Sequence, residues 1–113
     1  MSDSCLFCRV VRGEIPATLV AETAECVAFR DINPQAPLHV LVIPREHVAS
    51  LNEATDAAQL GRLSLLAAEI ARREGYAETG YRTVVNTGPQ AGQTVHHVHL
   101  HLLAGRDLRW PPG

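Results

Sequence analysis

The chain has 113 residues, 46% hydrophobic and 19% charged, and a net charge of −2 at pH 7. These values describe one globular domain spanning residues 1–113, small enough that oligomerisation would help it, and they exclude a binder of nucleic-acid backbone, which needs a basic surface. No apolar run reaches the roughly 18 residues of a membrane span and no charged-then-hydrophobic leader opens the chain, so a cytoplasmic protein with no membrane partner is expected.

In chain order, residues 3–13 read as a short helix, with Asp3 or Ser4 as N-cap and Gly13 as its stop. It carries Cys5 and Cys8 on one face. Three cysteines in all, an odd number, build no disulfide framework. Cys-x-x-Cys so close to the start lacks the preceding strand of a thioredoxin-like redox pair; half of a metal site and two small packed residues remain open. Strands are predicted at 18–22 and 25–31, around the turn at Thr23-Ala24, and Cys26 falls in the core. Two prolines force a loop over 31–37. Leu38 to Pro44 is apolar on both faces apart from His39, which marks a central strand. His47 follows in a loop. The long helix covers residues 56–74, with Asp56 and Gln59 as a capping box and Leu60, Leu63, Ala67 and Ile70 as its inner stripe. A fourth strand runs from Tyr81 to Asn86. The loop 87–93 is longer than a minimal hairpin needs, and Gly88 and Gly92 suit it to presenting N–H groups to phosphate oxygens.

Four of the six histidines fall within residues 93–103. His97, His99 and His101 alternate with Val98, Leu100 and Leu102, the period of a strand with one buried face. The outer two would lie about 13 Å apart along a straight strand. One metal ion held by all three would need donors converging at about 2.0–2.1 Å, which such a strand cannot supply. An extended ligand could touch them in turn, and a neutral imidazole, with an ordinary pKa of about 6.5, is a competent nucleophile and proton carrier. The long helix should cover the opposite face, to which parity also sends His96.

The run His97-Val98-His99-Leu100-His101-Leu102-Leu103, with Asn86, Gln93-Thr94 and the terminal Trp110-Pro111-Pro112-Gly113, resembles the histidine triad superfamily, and within it the nucleotide-binding branch. The resemblance extends from about Cys5 to the last residue. The predicted elements give an α+β fold, a meander of about five antiparallel strands with one long helix on one face and a short N-terminal helix, and the resemblance implies that the sheet continues across a homodimer. It also implies a hydrolase that cleaves the P–N bond of purine nucleoside 5′-phosphoramidates, with the AMP or GMP moiety as ligand and no cofactor in catalysis. His99 would be the nucleophile, forming a nucleotidyl-histidine. His101 and the loop N–H groups, Gly92 and Gln93 among them, would stabilise the phosphoryl oxygens. His39 and His97 would complete a proton relay, and Thr94 would stand near the leaving group, where relatives carry serine. Asp31 would bind the ribose and Asn86 the phosphate. Phe7, Phe29 and Ile32 would pack the base, and Trp110 would shape the leaving-group pocket across the dimer.

The same resemblance raises a structural zinc held by Cys5, Cys8, His47 and His97, the Cys₂His₂ set of a closed tetrahedral site. Two other readings remain: a dinucleoside polyphosphate hydrolase, against which the Trp-Pro-Pro-Gly terminus speaks, and a non-catalytic nucleotide-binding or scaffold protein, against which the intact His99 speaks.

Overall fold

The computed structural model describes residues 4–113. Five strands form one antiparallel sheet: β1 (Leu19–Glu22), β2 (Cys26–Arg30), β3 (Leu38–Pro44), β4 (Tyr81–Val84) and β5 (Leu100–Ala104). A short helix, α1 (Leu6–Val11), precedes them, and the long helix, α2 (Ala57–Arg73), joins β3 to β4. The α+β architecture expected from the sequence is the one observed.

The strand order is β1-β2-β3-β5-β4, so the sheet is not a simple meander. β5 pairs antiparallel with both β3 and β4, which makes β3 and β4 parallel to each other. Parallel strands need a crossover of a dozen residues or more, and α2 supplies it. The chain thus reaches the edge strand first and then fills the place beside β3 with the histidine segment.

Side-chain parity separates two cores. Cys26, Ala28, Leu38, Val40, Val42, Leu100, Leu102 and Ala104 point to one face and pack against Leu63, Leu66, Ala67, Ile70 and Ala71 of α2. Val27, Phe29, Leu41 and Ile43 point to the other and pack against Phe7 and Val10 of α1. His39 and His101 share that second face by the same alternation. α2 starts where predicted: Asp56 accepts from the Ala58 and Gln59 N–H groups, at 3.0 and 3.3 Å.

Several boundaries differ from expectation, and β4 ends at Val84 and not at Asn86. α1 is capped by Cys5, whose Sγ accepts from the Cys8 N–H, and begins at Leu6; the alternative cap Asp3 lies outside the described residues. β5 begins at Leu100 and not at His97. Its ladder with β3 ends at Val42–Leu100, close to Pro44, which has no N–H to give. The segment 97–99 instead turns aside, and the Val98 N–H donates to the Val48 carbonyl at 2.6 Å.

Two glycines test this packing. A Cβ on Gly105 (φ +98°) would lie 2.8 Å from the Pro37 Cβ, whereas a Cβ on Gly61, inside α2, would meet nothing within 4 Å. Gly61→Ala should therefore raise stability by about 0.5–1 kcal/mol, and Gly105→Ala should lower it by more than about 1 kcal/mol. Urea unfolding midpoints of the two variants check this.

Candidate active site and metal centre

The sheet and the bent segment before β5 distribute the histidines into two clusters. In the first, Cys5, Cys8, His47 and His97 place their donor atoms within 4.8 Å of one another. α1 and its cap bring the two cysteines, the loop after β3 brings His47, and the bend at 95–97 brings His97. Cys8 Sγ lies 3.2 Å from His47 Nδ1 and 3.6 Å from His97 Nδ1, and Cys5 Sγ lies 3.5 Å from His97 Nδ1. Thiolate and imidazole ligands at about 2.3 and 2.0–2.1 Å from a tetrahedral ion are themselves about 3.5 Å apart. His97 Nε2 donates to the Pro44 carbonyl at 2.8 Å, which fixes the proton on Nε2 and leaves the Nδ1 lone pair facing the sulfurs. These four residues could hold a tetrahedral metal ion.

The second cluster is Asp31, His39 and His101, whose donor atoms are equally close. It is wired differently. The Gln35 N–H donates to His39 Nδ1 at 3.0 Å, so His39 carries its proton on Nε2. That Nε2–H faces His101 Nδ1 at 2.9 Å and Asp31 Oδ2 at 3.4 Å. A metal at His39 Nε2 would have to displace a proton that the Gln35 N–H keeps there. The cluster is accordingly a hydrogen-bond relay, directed from Gln35 through His39 to His101. At its end His101 carries its proton on Nε2, and that nitrogen is buried with no partner.

His99 stands between the clusters, with ring centroids 5.1 Å from His101 and 5.1 Å from Phe7. Its Nδ1 donates to the His97 carbonyl at 2.8 Å, so Nε2 holds a free lone pair. Burial, then the neighbouring His99 and His39, push the pKa of His101 down to about 4. Burial likewise lowers His39, opposed by Asp31, and lowers His97, opposed by the Pro44 carbonyl. The relay is thus held neutral at pH 7.

A cavity of about 390 Å³ opens beside these rings. Phe7, Val10, Phe29 and Leu41 line it as apolar wall, Asp31, Thr94, His99 and His101 as polar wall, and the fully exposed Ile32 stands at its rim. Of the predicted site residues, Phe7, Phe29, Asp31, Ile32, Thr94, His99 and His101 therefore meet there, and His39 stands behind His101. Asn86, Gly92 and Gln93 are not among its lining residues. The Gly92 and Gln93 N–H groups are taken by the Pro89 and Gly88 carbonyls, and the Gly88 N–H by Gln93 Oε1. Gln93 Nε2 donates to the Ala49 and Val95 carbonyls. The loop expected to cradle phosphate spends these donors on its own closure. His97 is also placed differently from a relay member: its ring faces the cysteines, and its carbonyl is what touches His99. Trp110 is 81% exposed, on a terminal segment that Arg82 of β4 anchors through the Leu108 and Arg109 carbonyls. The backbone groups of Gln35 and Pro44 that set the tautomers carry no sequence signal, because every residue has a carbonyl and nearly every one an N–H.

Histidines at alternate positions 97, 99 and 101, carried by β5 and the segment leading into it beside an apolar cavity, mark a histidine triad protein. The chain matches the HIT domain over residues 12–108 and belongs to that family. It is 56% identical to an uncharacterised HIT-like protein of Synechococcus elongatus, over 100% of each chain. Its structure is similar to that of a HIT family hydrolase from Legionella pneumophila (TM-score 0.95, 49% identity, 97% of this chain and 100% of that one). A histidine triad nucleotide-binding protein from Candida albicans is also similar (TM-score 0.85, 36% identity, 93% of this chain and 77% of that one).

The low pKa of His101 has a consequence for stability. Its folded value, about 4, lies below the ordinary 6.5 or so of the unfolded chain, so the unfolded state binds more protons between those pH values. Stability contributed by neutral His101 is complete above about pH 6.5 and is lost as pH falls toward 4, by up to about 3 kcal/mol. Chemical unfolding across that window should show this slope, and His101→Gln should flatten it.

Proposed function

We propose that the protein is a nucleoside phosphoramidase, which cleaves the P–N bond of purine nucleoside 5′-phosphoramidates through a nucleotidyl-histidine at His99. The observation that carries this reading is the proton order of the site: a bare His99 Nε2 and an unpartnered His101 Nε2–H, both residues lining one cavity. The first is a nucleophile, the second a donor for a phosphoryl oxygen. Family membership and the similarity to a HIT family hydrolase and a nucleotide-binding relative support the hydrolytic and nucleotide parts of the reading.

In the proposed reaction the purine lies against Phe7 and Phe29, with Ile32 at the rim, and Asp31 takes the ribose hydroxyls. His99 Nε2 forms a bond to phosphorus. The P–N bond breaks, and the amine leaves with its electron pair and one proton drawn from water through the Thr94 hydroxyl. The His99 Nδ1–H, bonded to the His97 carbonyl, stabilises the positive charge that develops on the ring. Water then attacks phosphorus, the P–Nε2 bond breaks, and a proton returns to solvent as the nucleotide is released. Splitting one difficult displacement into two is the gain of a covalent route.

The reading also includes zinc at Cys5, Cys8, His47 and His97. Zinc there would act as a structural tie between α1 and the segments on either side of the site. It includes a homodimer joined along the exposed edge of β4, with one copy's Trp110 reaching the leaving-group end of the other, and a cytoplasmic setting, where thiols stay reduced.

Two measurements test it. His99→Asn should abolish turnover of a fluorogenic adenosine phosphoramidate and leave AMP affinity within about tenfold, because the base and ribose contacts come from other residues; turnover comparable with the parent would sink the assignment. Protein purified without chelator should hold about one equivalent of zinc per chain, and Cys8→Ser should lose it along with several degrees of thermal stability.

A further inference from the structure

We propose that Phe7 couples the Cys5–Cys8–His47–His97 centre to the nucleotide cavity, so that filling either site tightens the other. This rests on the nucleotide and zinc readings above and goes beyond both. Phe7 lies between the two cysteines in sequence, is buried, and lines the cavity. Its ring meets three others edge-on: His99 at 5.1 Å, Phe29 at 5.5 Å and His97 at 6.1 Å between centroids. One side chain thus touches a metal ligand, the nucleophile and the base wall.

The helix that carries it cannot hold it in place unaided. α1 has six residues, well below the length at which a helix is stable by itself in water. Two things seat it: the apolar contacts of Phe7 and Val10 with Val27, Phe29, Leu41 and Ile43, and the convergence of its two sulfurs on His47 and His97. A metal ion turns that second contact into four bonds to one centre. Without it the first turn of α1 is tied less firmly, and a nucleotide that needs the Phe7 wall must order the turn as it binds. With it that ordering is already done.

A route through His97 itself is weaker. Its ring is held by the Pro44 carbonyl, and the backbone beside it by the Val98 N–H to Val48, two bonds that need no metal. The carbonyl that orients His99 is therefore fixed independently of the metal, which leaves Phe7 as the part whose position the metal controls. Phe7 is on this account a positioning residue for His99 as well as a wall of the cavity.

The experiment reads binding alone. AMP affinity is measured by calorimetry on zinc-loaded and zinc-free protein, and zinc affinity by competition with a chromogenic chelator, with and without saturating AMP. AMP should bind the loaded form at least fivefold more tightly, and zinc affinity should rise with AMP by the same factor, as linkage requires. In Phe7→Ala both factors should fall to within twofold of unity while zinc still binds one to one. Phe7→Leu keeps apolar bulk without the ring edge and serves if the alanine variant fails to fold; it should lose at least half of the coupling. Arg9→Ala, on the exposed face of the same helix, should keep all of it. Equal AMP affinity for the two forms of the parent would overturn the coupling and leave the nucleotide reading standing, and parent-like coupling in both Phe7 variants would overturn the role of Phe7. AMP bound by neither form would overturn the nucleotide reading and this one together.

Discussion

A buried neutral imidazole has one N–H to give and one lone pair to offer, and the group that meets one nitrogen decides the chemistry of the other. Three backbone groups make that choice here: the Gln35 N–H for His39, the Pro44 carbonyl for His97 and the His97 carbonyl for His99. His39 is thereby made a donor to His101, His97 a ring whose Nδ1 lone pair faces two sulfurs, and His99 a ring with a bare Nε2. The two clusters hold their donor atoms at similar separations, yet the one with two sulfurs is suited to a metal and the one with a carboxylate to a directed relay.

These backbone groups are in place because of where β3 ends and how the chain returns to it. Pro44 closes the ladder, the segment 97–99 bends away toward α1, and only from Leu100 does the chain settle into the sheet. The bend sends the His97 ring to the cysteines while His101 stays on the sheet opposite Leu41, within reach of His39. α2, packed on the other face, buries Leu100 and Leu102 and so holds the register of the strand that presents His101. A slip of one residue in that register would turn His101 into the α2 core and leave leucine facing the cavity.

The apolar part of the cavity depends on α1 as much as on the sheet. Phe29 and Leu41 form the sheet side, and Phe7 and Val10 form the opposite wall. A wall built on a six-residue helix has little rigidity of its own, which gives the cysteine and histidine cluster a role in shaping the cavity even though none of its sulfurs faces it.

The sequence by itself determined the parts that depend on local pattern. Period-two alternation assigned β2 and the face of the histidines, an unbroken apolar run assigned β3, and the 3.6 period with Asp56 as cap defined α2, because these signals come from how a regular element is buried. The triad and the Cys₂His₂ set were legible as residue types, as were Phe7, Phe29 and Asp31 through the family resemblance. Only the tertiary structure decided the strand order, the start of β5 at Leu100, the separation of His97 from the relay and the closure of the 87–93 loop on its own N–H groups. The first three rest on contacts between residues far apart in the chain, Leu100 with Val42 and His97 with Cys5 and Cys8 among them, whereas the loop closes through bonds within itself, Gly92 with Pro89 and Gln93 with Gly88. The tautomers rest on backbone groups that look alike at every position of a sequence, and they acquire meaning only when folding brings one of them to a particular ring nitrogen.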